Sequence, residues 1–298
     1  MEITLKLGGV LLRFRSERDL EIDPELTNFL AERAAADLTV HVSWDWAHAR
    51  RPRTASVGQD LLQTFYREGE TRWCELRGGP KGPVACTRYA ADFREIVCTI
   101  HAEPFLQPPS TMGSVLRMLP MRAIFQHFGV LFLHAAQIAY RGRGILFSAP
   151  SGTGKTTQAR LWQTHRGAEI VCNDRTLLRK TGGVWRTYGY PLDGSEPVRS
   201  GSVHALGCVV LLEQGKENTV QRLRPARAAS LLMQQAVIDG WDAHAREQAM
   251  EQLMALLAEI PVYLLACTPD ARAVRALEEK LTEEGVFPDG NDHRPPLE

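Results

Sequence analysis

The first hundred residues alternate apolar and polar side chains with a period of two, which is typical of strands with one buried face. The alternation is regular over residues 3–7 and 38–42, whereas residues 24–36 have the spacing of a helix. Gly-Pro turns at residues 78–83 separate two of the later β-type runs. The remaining short β-type runs cover residues 72–76, 84–89 and 95–101. The pattern predicts a β-rich N-terminal domain over residues 1–108.

A proline-rich stretch, residues 104–110, predicts a linker to a second domain. Residues 111–128 carry apolar side chains at helical spacing, and Pro120 interrupts them, so a two-part helix is expected. Two apolar runs follow, at residues 130–140 and 145–147, with only a short Arg-Gly turn between them. A parallel crossover needs a dozen or more residues, so these two strands must form an antiparallel hairpin.

The rest of the chain predicts a continuation of the second domain to residue 284, followed by a disordered tail over residues 285–298. The run at 206–212 is apolar enough for a buried strand, and 219–223 is expected to be its hairpin partner. The other predicted strands are 170–172, 185–190 and 261–267, and the other predicted helices are 226–236, 243–259 and 270–284.

The second strand of the hairpin runs into a loop of small residues and then into a run of helix formers. This strand, loop and helix match the phosphate-binding pattern G-x-x-x-x-G-K-[ST], except that Ala149 replaces the first glycine. Backbone N–H groups at a helix start point together at an anion, and glycines allow it to approach closely. Lys155 would neutralise the β- and γ-phosphates, and the Thr156 hydroxyl would ligate Mg²⁺. The predicted phosphate-binding residues are Ser151, Gly152, Thr153, Gly154, Lys155, Thr156 and Thr157.

Composition narrows the class of protein further. The 298 residues include 35 Lys+Arg and 35 Asp+Glu, so the overall charge favours neither nucleic acid nor an acidic membrane surface as a partner. The six cysteines form no C-x-x-C pair and are expected to be reduced thiols. No apolar run approaches the ~18 residues of a membrane span, and the start does not resemble a signal peptide. A cytoplasmic protein is expected.

Two segments around the phosphate loop carry a family resemblance. His134 with its neighbours, the hexad 151–156 with Thr157, and the segment 166–175 together resemble the HPr serine kinase/phosphorylase family. The loop is also similar to that of ATP-dependent phosphoenolpyruvate carboxykinases, which share the fold. The resemblance covers residues 111–284. It implies an α/β fold with a mixed, largely antiparallel sheet for residues 109–284, preceded here by the smaller β-rich domain.

The resemblance also implies roles for residues outside the loop. HPr kinases have two adjacent aspartates after the strand that follows the loop helix, and here Asn173 replaces the first while Asp174 remains. Asp174 is therefore expected to contact the metal, and either Asp174 or His134 to act as the base. Within the segment 191–203, Glu196 is a candidate metal contact and Arg199 a candidate phosphate clamp.

These residues imply an ATP- and Mg²⁺-dependent kinase that phosphorylates a hydroxyl, a serine of a protein or of a ribosomally made peptide. A nucleotide-binding sensor or scaffold without phosphoryl transfer is the alternative, favoured by Ala149 and Asn173. A carboxykinase is a third interpretation, although no separate arginine and metal-ligand segment supports it. The sequence does not identify the acceptor or the direction of the reaction. A homo-oligomer is possible from the sequence, which does not decide the oligomeric state. In the first domain, Trp44 to Arg51 is either a binding loop or, more ordinarily, an aromatic anchor at a strand end.

Overall fold

The structure is a computed structural model that describes residues 1–32, 35–78, 82–103, 111–192 and 200–287. Contacts divide the chain into two compact units. The first comprises Met1–Gly129 with Ile238–Glu247, and the second comprises Val130–Val237 with Gln248–Glu298. This division differs from the predicted boundary at residue 108, because both parts of the interrupted helix and a distant segment group with the first unit.

The first unit contains an eight-stranded mixed sheet in the order β1-β2-β3-β8-β7-β6-β5-β4. The β2–β3 and β3–β8 pairings are parallel, and the others are antiparallel. The predicted strands are confirmed, and three others, β2, β4 and β5, were not predicted. The strands are β1 (Glu2–Leu7), β2 (Val10–Ser16), β3 (Leu38–Ser43), β4 (Ser56–Gln59), β5 (Gln63–Glu68), β6 (Thr71–Arg77), β7 (Pro83–Ala90) and β8 (Glu95–Ile100).

The helix predicted over residues 24–36 is wrong beyond its first turns. A 3₁₀ helix covers Pro24–Phe29 and ends at Leu30, whose backbone is extended. The chain there turns towards β1, since the Ala31 amide donates to the Thr4 carbonyl at 2.9 Å. A second 3₁₀ helix covers Trp46–His48. Trp46 stacks on His101 with 4.5 Å between ring centroids. This contact favours the aromatic anchor over the binding loop as the interpretation of residues 44–51.

The two-part helix is confirmed as α1 (Met112–Met118) and α2 (Met121–His127), separated at Pro120. Proline lacks an N–H and its ring excludes the preceding residue from helical geometry, so the break falls where the sequence places it. Leu119 is accordingly extended. The predicted linker, residues 104–110, lies outside the described residues.

The second unit also contains an eight-stranded mixed sheet. Its helices are α3 (Lys155–Arg166), α4 (Pro225–Met233), α5 (Ala243–Leu257, which begins in the first unit) and α6 (Ala271–Glu283). Its strands are β9 (Leu131–Tyr140), β10 (Arg143–Ser148), β11 (Glu169–Cys172), β12 (Arg175–Thr181), β13 (Val184–Gly189), β14 (Val203–Gln214), β15 (Thr219–Arg222) and β16 (Val262–Cys267).

The predicted antiparallel hairpin is confirmed, because β9 pairs with β10 through the two-residue turn at Arg141 and Gly142. β10 also pairs in parallel with β14, and β14 pairs in parallel with β16, while every other pairing in this sheet is antiparallel. The prediction that 219–223 forms a hairpin with 206–212 is wrong. β15 pairs with β16 instead, so β16 lies between β14 and β15.

Helices cover both faces of this sheet, and alternate residues of β10 face the two sides. Ile145 and Phe147 join the core cluster that includes Trp162 of α3 and Leu277 of α6. Leu146 joins the opposite cluster, which includes residues of α4 and α5. The strand that feeds the loop is thus buried on both faces, as its continuous apolar run predicts.

The predicted tail begins too early. Val286 and Phe287 are buried in the same cluster as Trp162, because they continue the apolar face of α6 beyond its end. Residues 288–298 lie outside the described residues. All six cysteines are free thiols. No helix among the described residues is long and apolar enough to cross a membrane.

Candidate functional site

The loop between β10 and α3 has the backbone that the phosphate-binding pattern requires. Gly152 and Gly154 adopt φ angles of +79° and +118°, which disfavour any residue with a side chain. Gly154 lies immediately before the first helical residue, Lys155. Ala149, which replaces the first glycine of the pattern, is only 2% exposed and packs in the core. Ser151, Gly152 and Thr157 are exposed, and Thr153 and Thr156 are half-buried.

Lys155 is only 7% exposed and does not extend into open solvent. Its ammonium group folds over the loop and donates to the carbonyls of Ala149 at 2.9 Å and Pro150 at 3.3 Å. Burial lowers the pKa of Lys155, and the negative charge of Asp174 opposes that shift. The lysine therefore closes the loop on itself while remaining electrostatically coupled to Asp174.

His134 and Asp174 form a pair beside the loop. β9 and β12 are neighbouring strands with Arg175 opposite His134, and this register brings the two side chains together. His134 Nε2 lies 2.9 Å from Asp174 Oδ1, and the side chains are 25% and 31% exposed. The backbone of β10 is tied to the same place, because the Ser148 hydroxyl donates to the His134 carbonyl at 2.8 Å. The sheet thus positions the pair beside the predicted phosphate loop.

Asp174 is held as a carboxylate. The hydrogen bond from His134 lowers its pKa most, burial opposes the shift, and the charges of His134, Arg175 and Lys155 add to the lowering. Asp174 is therefore ionised throughout the neutral range. Because its pKa is depressed in the folded state, the stability it contributes is lost only as the pH falls through that depressed value.

Asn173 has a different environment from its neighbour. It directly follows β11 and is only 5% exposed, whereas the Asp174 side chain is accessible. The two adjacent residues thus face different surroundings, and of the two only Asp174 has an accessible side chain. Glu196 and Arg199 lie outside the described residues, so their predicted roles stay predictions. Among the described residues, no group of three or more His, Cys, Asp or Glu side chains could hold a metal ion.

Arg175 also belongs to this site, and the sequence analysis assigns it no role. Its Nε lies 3.8 Å from Asp174 Oδ2, and its guanidinium lies 5.8 Å from the centre of the Phe132 ring. The contact with Phe132 is within the ~6 Å range of a cation–π interaction. Its position directly after Asp174 in the sequence could have indicated that Arg175 lies in the site.

Comparison with known proteins shows which family the chain belongs to. The family model for the SynChlorMet cassette protein ScmC matches residues 110–282, which is more than half of the chain. The chain belongs to the ScmC family. The matched ScmC region contains His134, the phosphate loop and Asp174.

Beyond the ScmC match, no curated protein matches the chain. Among solved structures, the HPr(Ser) kinase/phosphatase from Coxiella burnetii is similar at 14% identity, with a TM-score of 0.31. That match covers 52% of this chain and 89% of the other. Similarity at this level does not establish a shared fold.

Proposed function

We propose that the second unit binds ATP and transfers its γ-phosphoryl group to a hydroxyl, a serine of a protein or peptide. The observation that supports this most is the His134–Asp174 pair, 2.9 Å apart, beside a phosphate loop. A loop alone supports only binding. Transfer needs, in addition, a group that can orient and deprotonate the attacking hydroxyl.

The loop is proposed to bind the phosphates of the nucleotide. The positive φ angles of Gly152 and Gly154 bring the backbone to the start of α3, where N–H groups and the helix dipole favour an anion. Lys155 exchanges its bonds to the loop carbonyls for phosphate oxygens, which restores the proton affinity that burial removes. Ser151, Thr153 and Thr157 border this space and are proposed as further phosphate contacts.

The oxygen donors of the site suit Mg²⁺. Thr156 offers a half-buried hydroxyl and Asp174 an ionised carboxylate, and hard cations prefer such ligands. These two residues would hold the ion, which would neutralise charge on the phosphates. Two protein ligands suffice, because Mg²⁺ usually keeps several waters and substrate oxygens.

The proposed step balances as follows. The acceptor oxygen forms a bond to the γ-phosphorus, the bond from that phosphorus to the bridging oxygen breaks, and ADP leaves with the electron pair. The hydroxyl proton passes to the His134–Asp174 pair, whose two groups share one hydrogen bond. Arg175, 3.8 Å from the second carboxylate oxygen, keeps Asp174 oriented towards the histidine.

The decisive experiment compares binding with transfer in Asp174→Asn. ATP affinity should stay within about threefold of that of the parent protein, because the loop amides and Lys155 make most of the contacts to the phosphates. Transfer to peptides encoded beside its gene should fall by roughly 10² or more, as loss of a positioned base typically costs. Asp92→Asn, an exposed aspartate of the first unit, is the matched control. Unchanged transfer by Asp174→Asn would remove this carboxylate from the mechanism.

Nucleotide binding without transfer is the second candidate. Lys155 already has two acceptors in its own loop, and Asn173 replaces a carboxylate, so the site could respond to nucleotide without turning it over. Single-turnover assays with γ-labelled ATP distinguish the two functions. A sensor binds ATP and releases it intact, whereas a kinase forms ADP and labelled acceptor in equal amounts.

A further inference from the structure

The segment after α4 occupies the edge of β9 that β10 leaves when it turns into the predicted phosphate loop. β10 pairs with β9 only as far as Ser148. At the next position of β9, the His134 amide donates to the Gln235 carbonyl at 2.8 Å, and an antiparallel bridge joins Leu133 to Ala236. Gln235 is therefore the cross-strand neighbour of His134.

Gln235 and His134 also share a face of the sheet. Cross-strand neighbours point to the same face, and successive residues of a strand alternate between faces. Leu133 belongs to the cluster that includes residues of α4 and α5, and Ala236 packs against that cluster. The side chains of His134 and Gln235 therefore lie on the opposite face, where α3 packs. His134 contacts Asp174 on this face, so Gln235 lies beside the pair.

The Gln235 side chain is buried without a hydrogen-bond partner in the part of the chain that the structure describes. The residue is 9% exposed. An amide offers two N–H donors, and leaving them unbonded in a buried place costs free energy. The preceding Gln234 differs, because it is exposed and its side chain donates to the Ser230 carbonyl at 3.3 Å. Of these two adjacent glutamines, Gln235 is the one whose donors are available to a ligand.

The groups around Gln235 point to the terminal phosphate. Lys155, the residue assigned to the β- and γ-phosphates, donates to the carbonyl of Ala149, which directly follows β10. Its positive charge also interacts with Asp174. The β-phosphate is expected at the loop amides, and the γ-phosphate must lie nearer to the His134–Asp174 pair, because the acceptor hydroxyl attacks it there. Gln235, beside His134, is thus next to the expected position of the γ-phosphate.

We propose that Gln235 Nε2 donates a hydrogen bond to an oxygen of the γ-phosphoryl group, so that the site distinguishes ATP from ADP. The inference rests on the proposed function, because it takes the loop and Lys155 to bind the nucleotide. A hydrogen bond to a charged group is stronger than one between neutral groups, so a single amide can change the affinity measurably. The pairing of Gln235 with His134 uses main-chain atoms, so a substitution of the side chain leaves that pairing in place.

The test compares ATP and ADP affinity in the full chain by titration calorimetry with Mg²⁺. In Gln235→Ala the ATP affinity should fall about tenfold or more, because hydrogen bonds to charged groups typically contribute that much. The ADP affinity should stay within about threefold of that of the parent, because ADP lacks the γ-phosphoryl group. Gln234→Ala is the matched control and should change neither affinity. Unchanged ATP affinity in Gln235→Ala, or equal losses for ATP and ADP, would overturn the proposal.

A second variant separates the hydrogen bond from packing. Gln235→Leu keeps a side chain of similar size but has no donor, so it should lose as much ATP affinity as Gln235→Ala. A packing role would instead leave the ATP affinity of Gln235→Leu near that of the parent, and that result would contradict the proposal. A parent that binds ATP without transferring its phosphate would contradict the proposed kinase, and the ratio of the two affinities would still test Gln235. A parent that binds neither nucleotide would overturn both.

Discussion

Lys155 holds its own loop closed in this structure and is proposed to bind phosphate, and a single substitution tests both roles. In Lys155→Ala the carbonyls of Ala149 and Pro150 lose their donor, which should lower the melting temperature modestly without unfolding the protein. ATP affinity should fall roughly 10- to 100-fold, since hydrogen bonds to charged groups contribute about 1.5–3 kcal/mol. Titration calorimetry with Mg²⁺ and ATP measures this loss, and unchanged affinity would contradict the phosphate-loop assignment.

The same residue predicts a pH dependence. Burial lowers the pKa of Lys155 below its usual 10.5, so the charged lysine opposes folding at neutral pH and this penalty disappears as the pH rises. ATP affinity should follow the opposite course, falling as the pH rises through the lowered pKa of Lys155 and the ammonium group deprotonates. In Lys155→Ala this alkaline decrease should be absent, and its persistence would assign it to another group.

The buried environment of Asn173 changes what Asn173→Asp should do. From the family pattern alone, restoring the second aspartate is expected to preserve or raise transfer. The structure places the side chain at 5% exposure, where burial would raise the pKa of a carboxylate and make its ionised form destabilising. The variant should therefore be less stable at pH 8 than at pH 5, relative to the parent. Thermal unfolding at both pH values checks this, and an equal difference at both would contradict it.

Among the elements, those formed by local sequence were predictable. The hairpin β9–β10, the loop and α3 follow from apolar runs, short turns and glycines that act within a few residues of one another. β12 was missed, since its buried Thr176, Leu177 and Leu178 are flanked by charged residues. The partner of β15 was wrong because β16 enters the sheet some forty residues later, and no local pattern carries that information. The candidate site was likewise predictable only in part. Its loop follows from a local motif, whereas the contact between His134 and Asp174 depends on the register of two strands in the sheet.

The end of α6 supplies a prediction of its own. Phe287 is 8% exposed and packs edge-on against Tyr140, with ring centroids 5.4 Å apart. Phe287→Ala should cost about 3 kcal/mol, the lower end for a buried phenylalanine. Met254→Ala, at an exposed position of α5, should cost far less and is the control. Denaturant unfolding measures both, and equal effects would show that the packing of residue 287 is unimportant.

The whole chain is organised less simply than its sequence suggests. The ScmC match begins at residue 110, close to the predicted domain start, yet α1, α2 and residues 238–247 belong to the first unit. Specific contacts hold that returning segment. Arg122 Nε lies 2.8 Å from Asp239 Oδ1, and the ring of Trp241 lies 5.0 Å from that of Phe65. The first unit is therefore completed by residues that a cut at 108 or 129 removes.

This organisation predicts that the two units cannot be separated by one cut. Fragments 1–129 and 130–298 should each be poorly folded, because Trp241 loses Phe65 and Gly58, and buried Asp239 loses the arginine that offsets its desolvation. Expressed alone, 130–298 should bind a hydrophobic dye and unfold with low cooperativity. Coexpression with 1–129 should restore both cooperative unfolding and ATP binding. If 1–129 alone unfolded as sharply as the full chain, the returning segment would not be needed, and the simpler division into consecutive domains would hold.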